Sequence, residues 1–256
     1  NILTVAENRQ FQKAESFLWT VRVALHFLAD RADERLTFDM QRRLSETLQY
    51  KDRQSARGVE RFMKHYFLVA KQVGDLTRIF CAVLEAREQK TFFSRLLRTK
   101  KLQGFGVESG RLITLNDTDF ADNPVLMLKI FAVADQKGLD IHPATLRLIK
   151  QNLKKLTRSV RINPEANRYF LKVLTSTNDG ETTLRRMNEA GVFGHFIPDF
   201  GRVVAQMQYD MYHHYTVDEH TIRAIGLVAK IESGELAEEH PLSINVIQKI
   251  LSRNVL

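Results

Sequence analysis

The sequence predicts an all-α protein, mainly a helical bundle with one small β-hairpin. Apolar residues recur at spacings of three and four along most of the 256 residues, which is typical of helices with one buried face. The chain has only 12 glycines and 5 prolines, too few for the many tight turns of a β-sandwich or β-barrel. One stretch, residues 105–115, has instead the pattern of two short β segments around a turn.

Four helices are predicted in the first third of the chain. The first covers residues 8–28, and the second begins near Asp39, which is a plausible N-cap. The third begins after Ser55, and a fourth covers residues 75–84. The fourth contains the single cysteine, Cys81, which we expect to be buried as a small apolar residue.

The character of the chain changes between residues 91 and 120. Four basic residues come first: Arg95, Arg98, Lys100 and Lys101. The two β segments follow, around a turn at residues 108–111. The interruption between helices marks a candidate internal boundary.

Helices resume in the second half, where a capping residue precedes proline at three predicted helix starts. These caps are Asn123, His142 and Asn163, and Gly138 is predicted to end the first of these helices. The helix that starts at His142 has a basic face, which we interpret as solvated because no exposed aromatic residues alternate with the charges. That face comprises Arg147, Lys150, Lys154, Lys155 and Arg158. The remaining predictions are a helix over 181–190, an irregular apolar connection over 191–198, a helix over 200–212, a polar loop over 232–240 and a helix over 241–256.

Composition excludes several classes of protein. One cysteine cannot form an internal disulfide, which fits a reducing compartment such as the cytoplasm. No run reaches the ~18 apolar residues of a membrane-spanning helix. The net charge of +8 is compatible with an acidic partner, with nucleotide phosphates or with a solvated surface.

The stretch over residues 209–221 is the richest in groups that can bind a metal or move a proton. It holds three histidines, three tyrosines and three carboxylates. Thr216 and Glu219 form a capping-box pattern, which predicts a helix with Thr216 at its N-cap and His220 in its first turn. Asp218 and His220 would point about 160° apart on that helix, so we do not expect them to bind one ion. A solitary histidine is more often a hydrogen-bonded structural group than a metal ligand.

Five segments resemble one family, the bacterial PII uridylyltransferase/uridylyl-removing enzymes. The most specific is MQYDMYHHYTVDEHT, residues 207–221. The others are MNEAGVFGHFIPDFGR at 187–202, FLWTVRVALH at 17–26, RLTFDMQ at 35–41 and VERFMKHY at 59–66. They occur in order along nearly the whole chain.

The resemblance implies a parent enzyme with two opposed activities. A nucleotidyltransferase domain would transfer UMP from UTP to a tyrosine of the PII signalling protein, and an HD-type domain would remove it. Mg²⁺ or Mn²⁺ would serve both steps, and ACT domains would sense glutamine. His220 matches the first histidine of the HD metal site, whose other ligands we expect beyond Leu256. The transferase motifs would precede Asn1.

The chain is therefore interpreted as a central helical part of that enzyme. Residues 1–120 would follow the transferase core, and residues 121–256 would contain the start of the HD domain. Alone, the fragment is expected to perform neither reaction. Residues 35–41 and 61–66 could contribute to a nucleotide pocket, although packing is the alternative.

The resemblance leaves the basic cluster and the overall function open to other interpretations. Arg95, Arg98, Lys100 and Lys101 could contact UTP phosphates or an acidic patch of PII, or they could form a solvated surface. A non-catalytic helical interaction module is the main alternative function. RNA binding is disfavoured because basic and aromatic residues do not alternate, and no nucleic-acid or membrane partner is expected.

Overall fold

The computed structural model describes residues 3–89, 100–209, 215–247 and 249, and it is mainly helical, as predicted. The helices are α1 (Val5–Ala29), α2 (Phe38–Thr47), α3 (Gly58–Gln89), α4 (Asp119–Asp122), α5 (Leu126–Lys137), α6 (Pro143–Asn152), α7 (Arg158–Arg161), α8 (Pro164–Leu174), α9 (Gly180–Glu189), α10 (Val192–Phe196), α11 (Pro198–Val203), α12 (Val217–Ser233) and α13 (Pro241–Ile247). A 3₁₀ turn covers Leu153–Lys155, and the strands are β1 (Lys100–Leu102), β2 (Phe105–Glu108), β3 (Arg111–Ile113) and β4 (Asp140–Ile141).

The chain divides into two compact units. The first contains Asn1–Glu88 and Val203–Asp218, and the second contains Gln89–Arg202 and Glu219–Leu256. No helix in the described part of the chain combines the length and hydropathy that crossing a bilayer requires.

The first unit is built around α1, α2 and α3. Its core consists of side chains from all three helices and one from the later segment: Val21, Leu25, Leu44, Val59, Phe62, Met63 and Met207. The predicted first helix is confirmed and is longer, because a capping box formed by Thr4 and Glu7 starts it at Val5. The N-cap of α2 is Thr37 and not Asp39, because the Thr37 side chain accepts the amide of Met40.

The prediction of two helices between residues 55 and 84 was wrong, because α3 continues through both. Gly74 does not interrupt it, since isolated glycine costs only about 1 kcal/mol inside a helix, and the buried stripe continues through Leu76 and Ile79. The burial predicted for Cys81 was also wrong: Cys81 is exposed. It lies two residues after Ile79, which is about 200° around the helix and away from that stripe.

The second unit contains a small sheet in the order β1-β2-β3-β4. The predicted hairpin is confirmed as the antiparallel pair β2 and β3, in which Glu108 pairs with Arg111. Ser109 and Gly110 form its turn with positive φ angles of 49° and 74°. The outer strands β1 and β4 were not predicted, because two or three residues are too few to establish an alternating pattern.

The helical core of this unit surrounds α5, which packs against α8 and α9. Three predicted boundaries are confirmed. Gly138 ends α5 in the left-handed conformation, His142 caps α6 through the amide of Ala144, and Asn163 caps α8. The start of α5 differs: Asn123 accepts the amide of Val125 in a preceding turn, so the helix begins at Leu126.

The segment after α9 also differs from the prediction. Residues 191–198 were predicted to be an irregular connection, but Val192–Phe196 within them form the short helix α10. The predicted helix over 200–212 was wrong, because α11 ends at Val203. Ala205 has a positive φ of 56°, and its amide donates to the Asp218 carboxylate at 3.1 Å. That bond replaces a helical acceptor and ends the helix.

Candidate functional site

The histidine-rich stretch is described only in part, since residues 210–214 lie outside the described residues. Its predicted helix start is confirmed: α12 begins at Val217, so Thr216 is at the N-cap position and His220 lies in the first turn. The His220 side chain is exposed. Tyr209, at the other end of the stretch, donates its hydroxyl to the Phe38 carbonyl at 2.7 Å. Its role there is to hold the segment within the first unit.

Glu219, next to His220, is bound by Arg185 of α9. The Arg185 Nε atom lies 3.0 and 3.3 Å from the two carboxylate oxygens of Glu219, and Nη2 lies 2.6 Å from Oε1. The same Nη2 lies 2.8 Å from Oε1 of Glu181. The hydrogen bonds that Arg185 donates to the two carboxylates raise its pKa, with Glu219 the larger cause. The guanidinium therefore holds two carboxylates in a site that is about two-thirds buried.

A second close approach joins the same two helices. A Cβ atom placed on Gly226 of α12 would lie 2.1 Å from Oε2 and 2.9 Å from Cβ of Glu181. Glycine is therefore required for α12 to approach α9 this closely. Together with Arg185, this contact fixes α12 at two points, seven residues apart. The sequence analysis did not predict these contacts between α9 and α12. The four-residue spacing of Glu181 and Arg185 could have indicated the ion pair within α9.

Asp218 has a structural position. Its side chain is buried, and it accepts the Ala205 amide. His220 is exposed, so the two side chains have different environments, as their spacing on the helix suggested. Asp218 therefore binds a backbone amide of the first unit.

The described residues do not assemble a metal site. No group of three or more histidine, cysteine or acidic side chains within them is close enough to hold an ion. His220 is one candidate ligand, and one imidazole does not make a site. Its role as an HD-domain ligand remains a prediction.

The predicted basic cluster is described only at its end. Arg95 and Arg98 lie outside the described residues. Lys100 and Lys101 lie in β1, where Lys101 pairs with Gly106 and has an exposed side chain. Its predicted contact with UTP or a partner remains a prediction.

Two segments of the first unit that could have contributed to a nucleotide pocket have contacts within the protein. The His65 Nδ1 atom and the Tyr50 hydroxyl lie 2.5 Å apart, and Phe17 packs on the His65 ring. Burial raises the pKa of Tyr50. In the other segment, Arg35 contacts the Asp33 carboxylate in an exposed ion pair. The contacts of His65 support packing as its role.

Two family models match consecutive parts of the chain. The model described as GlnD PII-uridylyltransferase matches residues 1–81, and the model described as uridylyltransferase GlnD third domain matches residues 105–196. The first match falls within the first unit and the second within the second unit. No solved structure matches the chain.

Curated relatives match over the full chain. Proteins named bifunctional uridylyltransferase/uridylyl-removing enzyme are 52% identical over 261 residues in Azospirillum brasilense, 51% over 259 in Novosphingobium aromaticivorans and 49% over 259 in Rhodospirillum rubrum. Each match covers 100% of this chain and 28% of the relative. The chain thus spans about a quarter of the length of these relatives.

Proposed function

Because this chain belongs to the family of bifunctional uridylyltransferase/uridylyl-removing enzymes, we propose that it is the central helical part of such an enzyme. The parent would transfer UMP from UTP to a tyrosine of the PII protein and would remove it by hydrolysis under glutamine control. The single observation that supports this most strongly is 52% identity along the whole chain. The two family models, matched in order, support it independently.

The proposed division of labour follows the sequence resemblance. Residues 1–120 would follow the transferase core, and residues 121–256 would contain the start of the HD domain. His220 would be the first histidine of the HD metal site, and the other ligands would come from elsewhere in the longer enzyme. The exposed position of His220 in the first turn of α12 is compatible with this role, since it leaves the imidazole accessible.

The implied cofactor is Mg²⁺ or Mn²⁺, and the implied compartment is the cytoplasm. Phosphoryl chemistry of either kind needs charge stabilisation from a metal and several ligands. The described residues supply one candidate ligand, so we propose that the isolated chain is inactive in both reactions. We propose Arg95, Arg98, Lys100 and Lys101 as contacts of UTP or PII.

The test uses a protein extended to the natural ends of the parent chain. It is mixed with PII, UTP and magnesium, and the mass of PII is followed with and without glutamine. We expect PII to gain one UMP and to lose it when glutamine is added. His220→Ala should abolish removal and leave transfer intact. His195→Ala is a matched control, because His195 is exposed and forms a local contact with Gly191.

Two results would contradict the proposal. If PII keeps its mass in every condition, a non-catalytic helical interaction module is the better account. If transfer and removal both occur and His220→Ala removes UMP at the rate of the unaltered protein, the family function stands and the role of His220 is wrong.

A further inference from the structure

The positive charge of the protein is concentrated in one stretch of the second unit. Between Asp140 and Asp179 the sequence has eight lysines and arginines and one acidic residue, Glu165. This stretch therefore carries +7 of the chain's net charge of +8. All of it is described, and it comprises α6, the 3₁₀ turn, α7, α8 and their connections.

The most concentrated part is the 3₁₀ turn together with α7. Lys154, Lys155 and Arg158 are exposed, and none has a carboxylate partner among the described residues. Leu156 is buried, which fixes the backbone between them. The three cations thus lie on an anchored segment and face solvent.

Several other surface cations are paired. In the first unit, Arg22 contacts Glu34 at 2.7 Å, and Arg31 contacts Asp33 at 2.8 Å. Within the charged stretch itself, Arg168 contacts Glu165 at 3.9 Å. Neighbouring like charges without partners repel one another, so an external anion would be stabilised at the 3₁₀ turn and α7.

An exposed apolar side chain lies beside these charges. Ile162 ends α7 and is 70% exposed, and Leu171 on the next helix is 38% exposed. An aliphatic side chain gains little from phosphate or sugar, whereas protein interfaces combine an apolar centre with a polar rim. This combination favours a protein partner.

The aromatic residues of the stretch disfavour a nucleic acid. Single-stranded nucleic acids bind on exposed aromatic rings that stack with bases. Phe170 is buried, and the Tyr169 ring is half-buried beneath Arg168, with its hydroxyl bonded to Glu165 at 3.0 Å. Neither ring is free to stack.

We propose that Lys154, Lys155, Arg158 and Ile162 form a docking surface for an acidic protein segment that carries an aliphatic side chain. The carboxylates would pair with the three cations, and the aliphatic group would cover Ile162. This inference is independent of the proposed enzymatic function, since it rests on the charge and exposure of the second unit.

The test measures binding of three labelled 20-residue probes to the 256-residue protein by fluorescence anisotropy. The probes are a glutamate peptide with leucine at every fourth position, an all-glutamate peptide and oligothymidylate. We expect the leucine-containing peptide to bind most tightly. The variant K154Q/K155Q/R158Q should weaken binding of this peptide at least tenfold. Ile162→Ser should weaken its binding severalfold and leave binding of the all-glutamate peptide unchanged.

The matched control K13Q/K51Q/R53Q removes the same charge from exposed positions of the first unit. It should change binding by less than twofold. Equal weakening by the two triple variants would show a response to net charge alone and would overturn the proposal. Tighter binding of oligothymidylate would overturn it in favour of a nucleic-acid surface.

Discussion

Arg185 and Glu219 lie 34 residues apart in the chain, and the guanidinium of the first contacts both carboxylate oxygens of the second. Through this contact α9 holds the first turn of α12, the turn that presents His220. Arg185 also binds Glu181 on its own helix. One cation therefore pairs with two carboxylates and reduces the repulsion between them.

Removing this cation should destabilise the second unit. Arg185→Met keeps most of the side-chain volume and leaves Glu181 and Glu219 without their donor. We expect the free energy of unfolding to fall by about 1–3 kcal/mol, the range for lost hydrogen bonds to charged groups. Urea denaturation measures it. Arg168→Met, which breaks an exposed pair at 3.9 Å, should cost less than about 0.5 kcal/mol; equal losses would contradict the role of Arg185.

The close approach at Gly226 gives a prediction in which two identical substitutions have opposite effects. Gly226→Ala should destabilise the protein by about 1–3 kcal/mol, because the new methyl group would overlap Glu181. Gly74→Ala should stabilise it by about 0.4–1 kcal/mol, because nothing lies within 4 Å and alanine restricts the unfolded chain. Thermal unfolding of both variants measures the difference. Stabilisation of both would show that α12 lies farther from α9 than described.

Asp33 should contribute to stability in a pH-dependent way. Hydrogen bonds from Arg35 and then Arg31 lower the pKa of its carboxyl well below the usual value. A carboxyl whose pKa is lowered by folding stabilises the folded state above its unfolded pKa of about 3.9, and that stability is lost as the pH falls through the folded pKa. Asp33→Asn should therefore lower the Tm at neutral pH and reduce its further fall in acid.

Asp39→Asn is the control for this pH dependence. Asp39 contacts Arg42 and Arg43 at 3.5 and 4.0 Å, in a more exposed setting. Its substitution should leave the acid limb of the Tm profile nearly unchanged. An identical profile for Asp33→Asn and the unaltered protein would contradict the assignment. The effect should also weaken in high salt, since salt screens exposed charges.

Sequence reasoning succeeded where the signal was local. Gly138, His142 and Asn163 mark helix boundaries through their own backbone or side chain, and the structure confirms all three. The hairpin was also predictable, because its two strands and turn are adjacent in the chain. The resemblance around residues 207–221 identified the family for the same reason, as a continuous motif.

The missed features depend on residues that are distant in the sequence. Val204 and Ala205 have a helical pattern, but Asp218, thirteen residues later, captures the Ala205 amide and ends the helix. Glu219 matched a capping box, whereas its carboxylate binds Arg185. A local pattern cannot report a competing partner that folding brings close, so neither contact was predictable.

The reactivity of the Cys81 thiol tests whether this side chain is exposed, as in the structure, or buried, as the sequence predicted. The structure places it on the exposed side of α3, so one thiol per chain should react with Ellman's reagent without denaturant. The rate of this thiol reaction in the folded protein should be within about tenfold of the rate in the urea-unfolded protein. Protection of the thiol until unfolding would restore the sequence-based prediction that Cys81 is buried.

The Asp218 carboxylate should be the most costly of these groups to remove, because it is buried and holds a buried amide. Asp218→Ala would leave the Ala205 amide without its acceptor, at a cost of about 2–3 kcal/mol. Asp218→Asn keeps an acceptor oxygen and should lose less. Hydrogen exchange at Ala205 reports the site directly and should accelerate most in the alanine variant. Asp199→Ala removes an exposed partner of Arg202 and should leave both measurements unchanged; unchanged exchange at Ala205 in Asp218→Ala would show that another group ends α11.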